Sequence, residues 1–347
     1  MDNIANAKFL PISVAYFFDE RAKPMNNNLL QKLQVFRQLS GGFRASRVIL
    51  TANNYAVFEH LKTPKTASVL AKRIKTDRRA TEILLDAVTA LGLLTKTGSK
   101  YRNTLLAAIF LVKKSPWYQG NMLSHSDTLW KTWSGLDEVL KTGMPNRTRE
   151  RHHESFIRAM HDNAVFRVKD VITAVDVRGI KKALDLGGGP GTYSIEMARQ
   201  GVSVTLFDQP DTMVVAKKIV KASTGKNIEY LGGNFHSDDI GSGYDLVFIS
   251  QIVHSLSINE SMALLKKSYN ALNPGGKIAI QEFFLGKDRA HPVPGALFSV
   301  NMLVNTTAGR CYTMQEMKTW LIKTGFRSIK ETSLGDTIVM TGRKKKS

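Results

Sequence analysis

Hydrophobic spacing becomes readable from about Arg47. Ile49, Ala52, Ala56 and Val57 recur at helical intervals and lead into Phe58–Leu61. Thr66–Lys75 predicts a short amphipathic helix. Thr81–Leu91 predicts a longer one, with Ile83, Leu84, Ala87, Val88 and Leu91 on one face and Gly92 as its stop. Leu93–Lys96 and Lys100–Arg102 flank Thr97-Gly98-Ser99 as a hairpin. Helices followed by a two-stranded wing make a winged-helix pattern. Upstream, Phe9–Phe18 is apolar but interrupted by Pro11, and Asn26-Asn27-Asn28 reads as a loop or a helix start.

Further along, Trp117–Leu140 is helical and aromatic, Lys141–Arg151 is polar, and Glu154–Val175 predicts a long helix. Then the period changes. A short apolar run ends at Leu186, a helical pattern covers Thr192–Arg199, and a second apolar strand, Val202–Phe207, ends in Asp208. Ile228–Leu231, Tyr244–Ser250 and Lys277–Phe283 read as buried strands, with Ser261–Leu272 as the helix between the last two and Asn273-Pro274-Gly275-Gly276 as a turn. Thr313–Thr324 is a further helix, and Arg327–Leu334 with Thr337–Thr341 a closing hairpin. Alternating strands and helices predict an α/β fold with a doubly wound, Rossmann-like sheet. The expected division is a mostly helical winged-helix domain over residues 1–110, a helical linker over 111–175 and the doubly wound α/β domain over 176–347.

The stretch Ala183–Gly191, ALDLGGGPG, carries the densest chemistry. Gly187, Gly189 and Gly191 fall on alternate positions between a strand and a helix. Glycine there lets the backbone turn sharply and approach a ligand with no Cβ in the way. The helix that follows offers free N–H groups. Asp208, at the end of the next strand, can accept both hydroxyls of a ribose. Such a unit binds an adenosine-containing cofactor at the carboxyl ends of parallel strands. A nicotinamide or flavin fingerprint would read G-x-G-x-x-G. Here Thr192 stands where the third glycine would fall, and Asp185 sits two residues before the first. A phosphate-binding Walker loop would need a Lys-Ser or Lys-Thr that is missing. The D-x-G-x-G-x-G form resembles the first motif of class I S-adenosylmethionine (SAM) methyltransferases.

Composition narrows the setting. The 347 residues have room for about two domains. The apolar runs fall well short of the ~18 residues of a membrane span, and the N-terminus lacks a signal pattern. The single cysteine, Cys311, excludes an internal disulfide and suits a cytoplasmic setting. No Cys/His cluster has zinc-site spacing, so no metal is expected; His152-His153 reads as solvated surface. The net charge of +20 is not confined to a tail, since residues 1–110 hold 17 Lys/Arg against 7 Asp/Glu. That charge favours anionic partners by steering, or serves solubility.

The full set of motifs resembles the two-domain O-methyltransferases of the caffeic acid and hydroxyneurosporene methyltransferase type, from about Arg44 to the C-terminus. LAKRIKTDRRATEILLDAVTALGLLTKTGSKYRNT is similar to that family's winged-helix dimerisation domain. LDLGGGPGT, TLFDQPDT, GGNFH, DLVFISQIVHSL, ALNPGGKIAIQEFF and GRCYT match its motifs in order. The resemblance implies a homodimer and SAM as cofactor. Asp185, Gly187, Gly189 and Gly191 would lie against SAM, Asp208 would hold its ribose, and Asn234 and Phe235 would flank adenine, Asn234 replacing the family's usual acid. Ser250 falls where plant members carry a lysine. His254 matches the general base and Glu282 one of two acids that orient it; Cys311 occupies the place of the second. Phe156, Met160, Phe298, Met302 and Asn305 become candidate walls of an acceptor pocket, together with Cys311.

The chemistry fits these residues. A phenol has a pKa of about 10, so a positioned imidazole speeds its methylation by roughly 10²–10⁴. The leading expectation is a SAM-dependent O-methyltransferase acting on a hydroxyl of a small aromatic or polyene acceptor. The alternatives are a nucleic-acid-associated methyltransferase, suggested by the charge and the wing, and a SAM-binding winged-helix regulator without catalysis. Against the former, no Asn/Asp-Pro-Pro-aromatic motif for base-amine methylation is present.

Overall fold

The central strands of the second half, over residues 183–186 and 246–249, are buried through their length because both faces are covered, the signature of parallel strands between helices. A computed structural model describes residues 27–146, 153–223 and 227–346; Phe9–Phe18 and His152 lie outside them. The chain divides into two units, residues 1–47 and 48–347.

Helix α1 (Asn27–Asn54) carries Leu29, Val35, Phe36, Leu39 and Phe43 exposed in its first part. In the second unit follow α2 (Val57–His60), β1 (Lys65–Thr66), α3 (Ala67–Ile74), α4 (Arg78–Ala90), β2 (Leu94–Thr97), β3 (Lys100–Asn103) and α5 (Leu105–Phe110). Thr66 and Asp77 cap α3 and α4 by accepting from Val69 N and Ala80 N. The wing has three strands, in the order β1-β3-β2, and Tyr101 is buried beneath it. The buried residues of α4 are Thr81, Leu85 and Val88, whereas Ile83 and Leu91 are exposed. The expected apolar face is therefore corrected: Ile83 lies two positions from both Thr81 and Leu85, on the far side of a 3.6-residue helix.

Two predicted helices are each broken in two. Trp117–Leu140 becomes α6 (Gly120–Trp133) and α7 (Leu136–Thr142). Asn146 fills the space beside Gly135, and its amide donates to Thr132 O at 2.8 Å, satisfying a carbonyl at the end of α6. Glu154–Val175 becomes α8 (His153–Ala164) and α9 (Val168–Val175). Helix α8 packs on α6, while α9 buries Val171, Ile172 and Val175 against the sheet, so the chain must change direction between them.

The sheet elements are β4 (Lys182–Leu186), α10 (Thr192–Arg199), β5 (Ser203–Asp208), α11 (Pro210–Ala222), β6 (Ile228–Gly232), β7 (Tyr244–Ser250), a 3₁₀ turn (Val253–Ser255), α12 (Ile258–Ala271) and β8 (Leu272–Leu285). Then come α13 (Val293–Asn305), β9 (Tyr312–Thr313), α14 (Met314–Thr324), β10 (Arg327–Leu334) and β11 (Thr337–Arg343). The strand order is β10-β11-β8-β7-β4-β5-β6, with β9 beside β8. Strands β4 to β8 run parallel and β10 and β11 antiparallel. The expected turn Asn273–Gly276 lies within the first residues of β8, where Gly275 takes a positive φ, and the chain after β11 pairs with it, Gly275 N donating to Lys345 O and Lys344 N to Gly276 O. Strand order reverses at β4, between β5 and β7, so a crevice opens at the carboxyl ends of these strands.

Candidate active site

The crevice at those carboxyl ends is a cleft of about 420 Å³. Its floor is the turn after β4. Gly187, Gly189 and Gly191 all take positive φ. At Gly187 a Cβ would also lie 2.6 Å from the Ile252 side chain, so a side chain there would be strained at its positive φ and would have to displace Ile252. Gly187 N and Gly188 N both donate to Phe207 O, tying the turn to β5.

Asp185 is fully buried behind the turn. Its Oδ2 accepts from Ser194 Oγ at 2.6 Å, while Oδ1 has no partner among the described residues. Burial, reinforced by the charge of Asp208, lifts the Asp185 carboxyl to about 7. Asp208 closes β5 on the other side of the turn. Its Oδ2 accepts from Gly189 N at 2.8 Å and its Oδ1 from Gln209 N at 2.7 Å, which fixes its orientation; burial pushes its pKa up as well. The cleft thus holds an orphaned carboxylate oxygen, a second anchored acid and a backbone that comes close where no Cβ stands. These groups fit a ligand bearing a cationic end and a vicinal diol.

Asn234 and Phe235 follow β6 and line the same cleft. Asn234 Oδ1 accepts from His236 N at 3.0 Å, so the amide oxygen is engaged in its own turn. Ser250 ends β7, and its Oγ donates to Gln281 Oε1 at 2.6 Å. Gln281 is fully buried, lines the cleft, and its Nε2 has no partner among the described residues. Sequence reasoning passed over Gln281, although alternation along a strand puts it on the face opposite Glu282. It also read His153 as solvated surface. His153 instead lines the cleft, with Nε2 3.1 Å from Thr212 Oγ1, because α8 lies against α11. Phe156 and Met160, further along α8, line the cleft too.

His254 sits in the 3₁₀ turn after β7, next to the cleft-lining Ile252 and Ser255. Its Nδ1 is 2.7 Å from Glu282 Oε2, and its backbone N donates to Glu282 Oε1 at 3.3 Å. Both residues are buried. The Phe298 ring, from α13, meets the imidazole edge-on at 4.8 Å and also packs on Phe283. A Cβ on Gly309 would lie 2.5 Å from His254 O, so this glycine backs the turn.

The other expected residues separate from the cleft lining. Cys311 is fully buried, its N donating to Ser299 Oγ at 3.1 Å. Burial raises its thiol to about 11, helped by the nearby charge of Glu282, so it stays a neutral S–H. Met302 is buried in α13. Asn305 turns back on its own helix, donating from Nδ2 to Asn301 O at 2.8 Å, and Asn301 Oδ1 also accepts from Trp133 Nε1. Gly191 underlies the start of α10, where a Cβ would strike Leu206.

A doubly wound sheet with a glycine-floored, acid-flanked crevice at its switch point defines a nucleoside-cofactor enzyme of the class I methyltransferase type. The chain belongs to the O-methyltransferase family: residues 127–327 match the O-methyltransferase domain and residues 37–113 the O-methyltransferase dimerisation domain. It is 31% identical over 324 residues to the 3-hydroxy-5-methyl-1-naphthoate 3-O-methyltransferase of Streptomyces sahachiroi, covering 88% of this chain and 94% of the relative. It is also 31% identical over 328 residues to the acetylserotonin O-methyltransferase of Gallus gallus, covering 87% and 94%. The crystal structure of human N-acetylserotonin methyltransferase in complex with SAM superposes with a TM-score of 0.84 at 26% identity, over 92% of this chain and 100% of that one. Among the described residues, no helix is long and apolar enough to cross a membrane.

Proposed function

We propose that this chain transfers a methyl group from SAM to a hydroxyl of a small aromatic or polyene acceptor, with His254 as general base. The observation that carries the reading is the buried His254–Glu282 pair, 2.7 Å apart, beside the cleft. When bound, SAM supplies a methyl group already activated by a sulfonium. Asp185 would face its cationic methionine end, Asp208 its ribose diol, and Phe235 its adenine; Gly187 and Gly189 give the backbone access these contacts need.

The remaining work falls to the protein. With Glu282 accepting at Nδ1, the tautomer that can act as base carries its proton on Nδ1 and its lone pair on Nε2. Nε2 is then the atom that takes the acceptor's hydroxyl proton. The base contributes roughly 10²–10⁴, and holding the hydroxyl in line with the methyl can contribute several kcal/mol more. Phe298 fixes the ring from the side. Phe156 and Met160 give the cleft apolar walls suited to a flat or extended acceptor.

Both relatives are named for methylation of oxygen, and the first for a hydroxynaphthoate, which supports an aromatic acceptor. The dimerisation domain supports a homodimer. We assign residues 1–110 to that role, 111–175 to the connection and 176–347 to the cofactor domain. Family membership does not favour the nucleic-acid alternative. Incubation with methyl-labelled SAM, a panel of hydroxyarenes and polyene alcohols, and duplex DNA tests the reading. Label on a small hydroxyl supports it; label on nucleic acid alone would sink it.

A further inference from the structure

A second cavity, of about 610 Å³, opens on the opposite edge of the sheet. Lys277 of β8 is in register with Leu246 of β7, and Leu246 with Ala183 at the start of β4, which places it at the amino ends of the parallel strands. The cavity lies between the end of α9 and strands β8, β10 and β11. Its walls carry Arg178, Lys277, Lys330 and Arg343 along with the hydroxyls of Thr332 and Thr341.

The charge is unbalanced. Asp176 is the one acid among the described lining residues, and Arg178 already occupies it, Nε donating to Oδ1 at 2.7 Å and Nη2 to Oδ2 at 2.9 Å. Lys277 is 6% exposed, and its Nζ donates to Val175 O and Asp176 O, leaving the third N–H unused among the described residues. Arg343 stands opposite Lys277 across β8 and β11, and Lys330 opposite Thr341 across β10 and β11. Among the described residues, neither Lys330 nor Arg343 has a carboxylate partner. Burial lowers the pKa of Lys277; the charge of Asp176 pulls against this, while the neighbouring Arg343, Arg178 and Lys330 press it down further. With that acid taken up by Arg178, the cations Lys277, Lys330 and Arg343 repel one another, and a multivalent anion relieves that repulsion. Convergent cations with hydroxyl donors suit the oxygens of a phosphate, and the volume falls within the usual small-ligand range of about 300–1,000 Å³.

We propose that this cavity binds the phosphate or diphosphate group of a small molecule, held by Lys277, Lys330 and Arg343, on the edge of the sheet opposite the catalytic cleft. The site gives part of the chain's excess positive charge a specific use.

Calorimetry of the full chain at fixed ionic strength tests this, with inorganic pyrophosphate and ADP as probes. The wild type is compared with Lys330→Gln/Arg343→Gln and Lys330→Glu/Arg343→Glu. Both positions are exposed, so neither variant threatens folding. Saturable one-to-one binding, weakened roughly tenfold or more in both variants, is the expected result. Tighter binding of ADP identifies an organic phosphate ester as the ligand; equal binding identifies the phosphate group alone. Lack of saturable binding by the wild type, or equal binding by wild type and variants, overturns the proposal. So does binding of duplex DNA that the variants lose while neither small anion saturates the protein.

Discussion

Glu282 grips His254 twice, through the ring Nδ1 at 2.7 Å and through the backbone N at 3.3 Å. One carboxylate from β8 therefore sets both the tautomer of the imidazole and the path of the turn that carries it. His254→Ala should bind S-adenosylhomocysteine as the wild type does but lose turnover by about 10²–10⁴ with a phenolic acceptor. Raising the pH toward a phenol's pKa of about 10 should restore part of the loss. Glu282→Gln should cost less, because the amide keeps an acceptor near Nδ1. Identical turnover of wild type and His254→Ala at every pH would remove the general-base assignment.

Asp208 arrives at the cleft already ordered by Gly189 N and Gln209 N. Asp208→Ala should weaken S-adenosylhomocysteine binding at least about tenfold, since a hydrogen bond to a charged acceptor is worth roughly 1.5–3 kcal/mol. Asp208→Asn, which keeps one acceptor, should lose less. Calorimetry that ranks the two variants the other way would place the ribose elsewhere.

Asp185 makes stability depend on pH. Its carboxyl titrates near 7 in the folded chain, above its ordinary value of about 3.9. Between those values the native state holds a proton that the unfolded chain has released, so its contribution to stability falls as pH rises from about 4 to about 7. Denaturant unfolding across that window should show a shallower decline for Asp185→Asn. Asp208, also raised, tilts both proteins alike. Saturating S-adenosylhomocysteine should narrow the gap, because a cationic group at Oδ1 favours the ionised acid. Parallel curves without ligand would contradict the buried-acid reading.

Gly309 is a remote handle on His254, the proposed base. Any side chain there would press on His254 O. Gly309→Ala should leave S-adenosylhomocysteine affinity intact and cut kcat, by up to about 10²-fold if the imidazole shifts by an ångström. A drop in affinity with kcat preserved would show that the strain goes to the cofactor side instead.

The dimer is tested on α1, where Phe36 and Leu39 stand 64% and 69% exposed. Phe36→Glu/Leu39→Glu should sediment as a monomer at concentrations where the wild type is dimeric. A wild type that is monomeric at micromolar concentration would contradict the homodimer itself.

What the sequence revealed of the site followed how local its chemistry was. The turn Gly187–Gly191 and the position of Asp185 and Asp208 beside it could be read directly, because a run of glycines between a strand and a helix marks a positive-φ turn and the acids stand at strand ends. His254 could be placed because it follows a strand end. Gln281 could not, since a glutamine in an apolar strand shows no purpose until Ser250 is found beside it. His153 was misread because its bond to Thr212 depends on how α8 meets α11, a tertiary fact. The long helix over Glu154–Val175 was overextended for a similar reason. Its residues keep helical spacing throughout, and only the separate demands of α6 and the sheet break it.

Strand β8 places Gln281 and Glu282 side by side on opposite faces, one in the cleft beside Ser250 and the other on His254. The cleft side and the imidazole side are thus ruled off on a single backbone. A residue inserted or deleted in β8 ahead of them would exchange their faces, stranding a carboxylate in the cleft and an amide under the imidazole. A length change in this strand therefore disturbs both neighbourhoods at once, whereas substitutions on α8, which lines the cleft with Phe156 and Met160, leave that spacing intact.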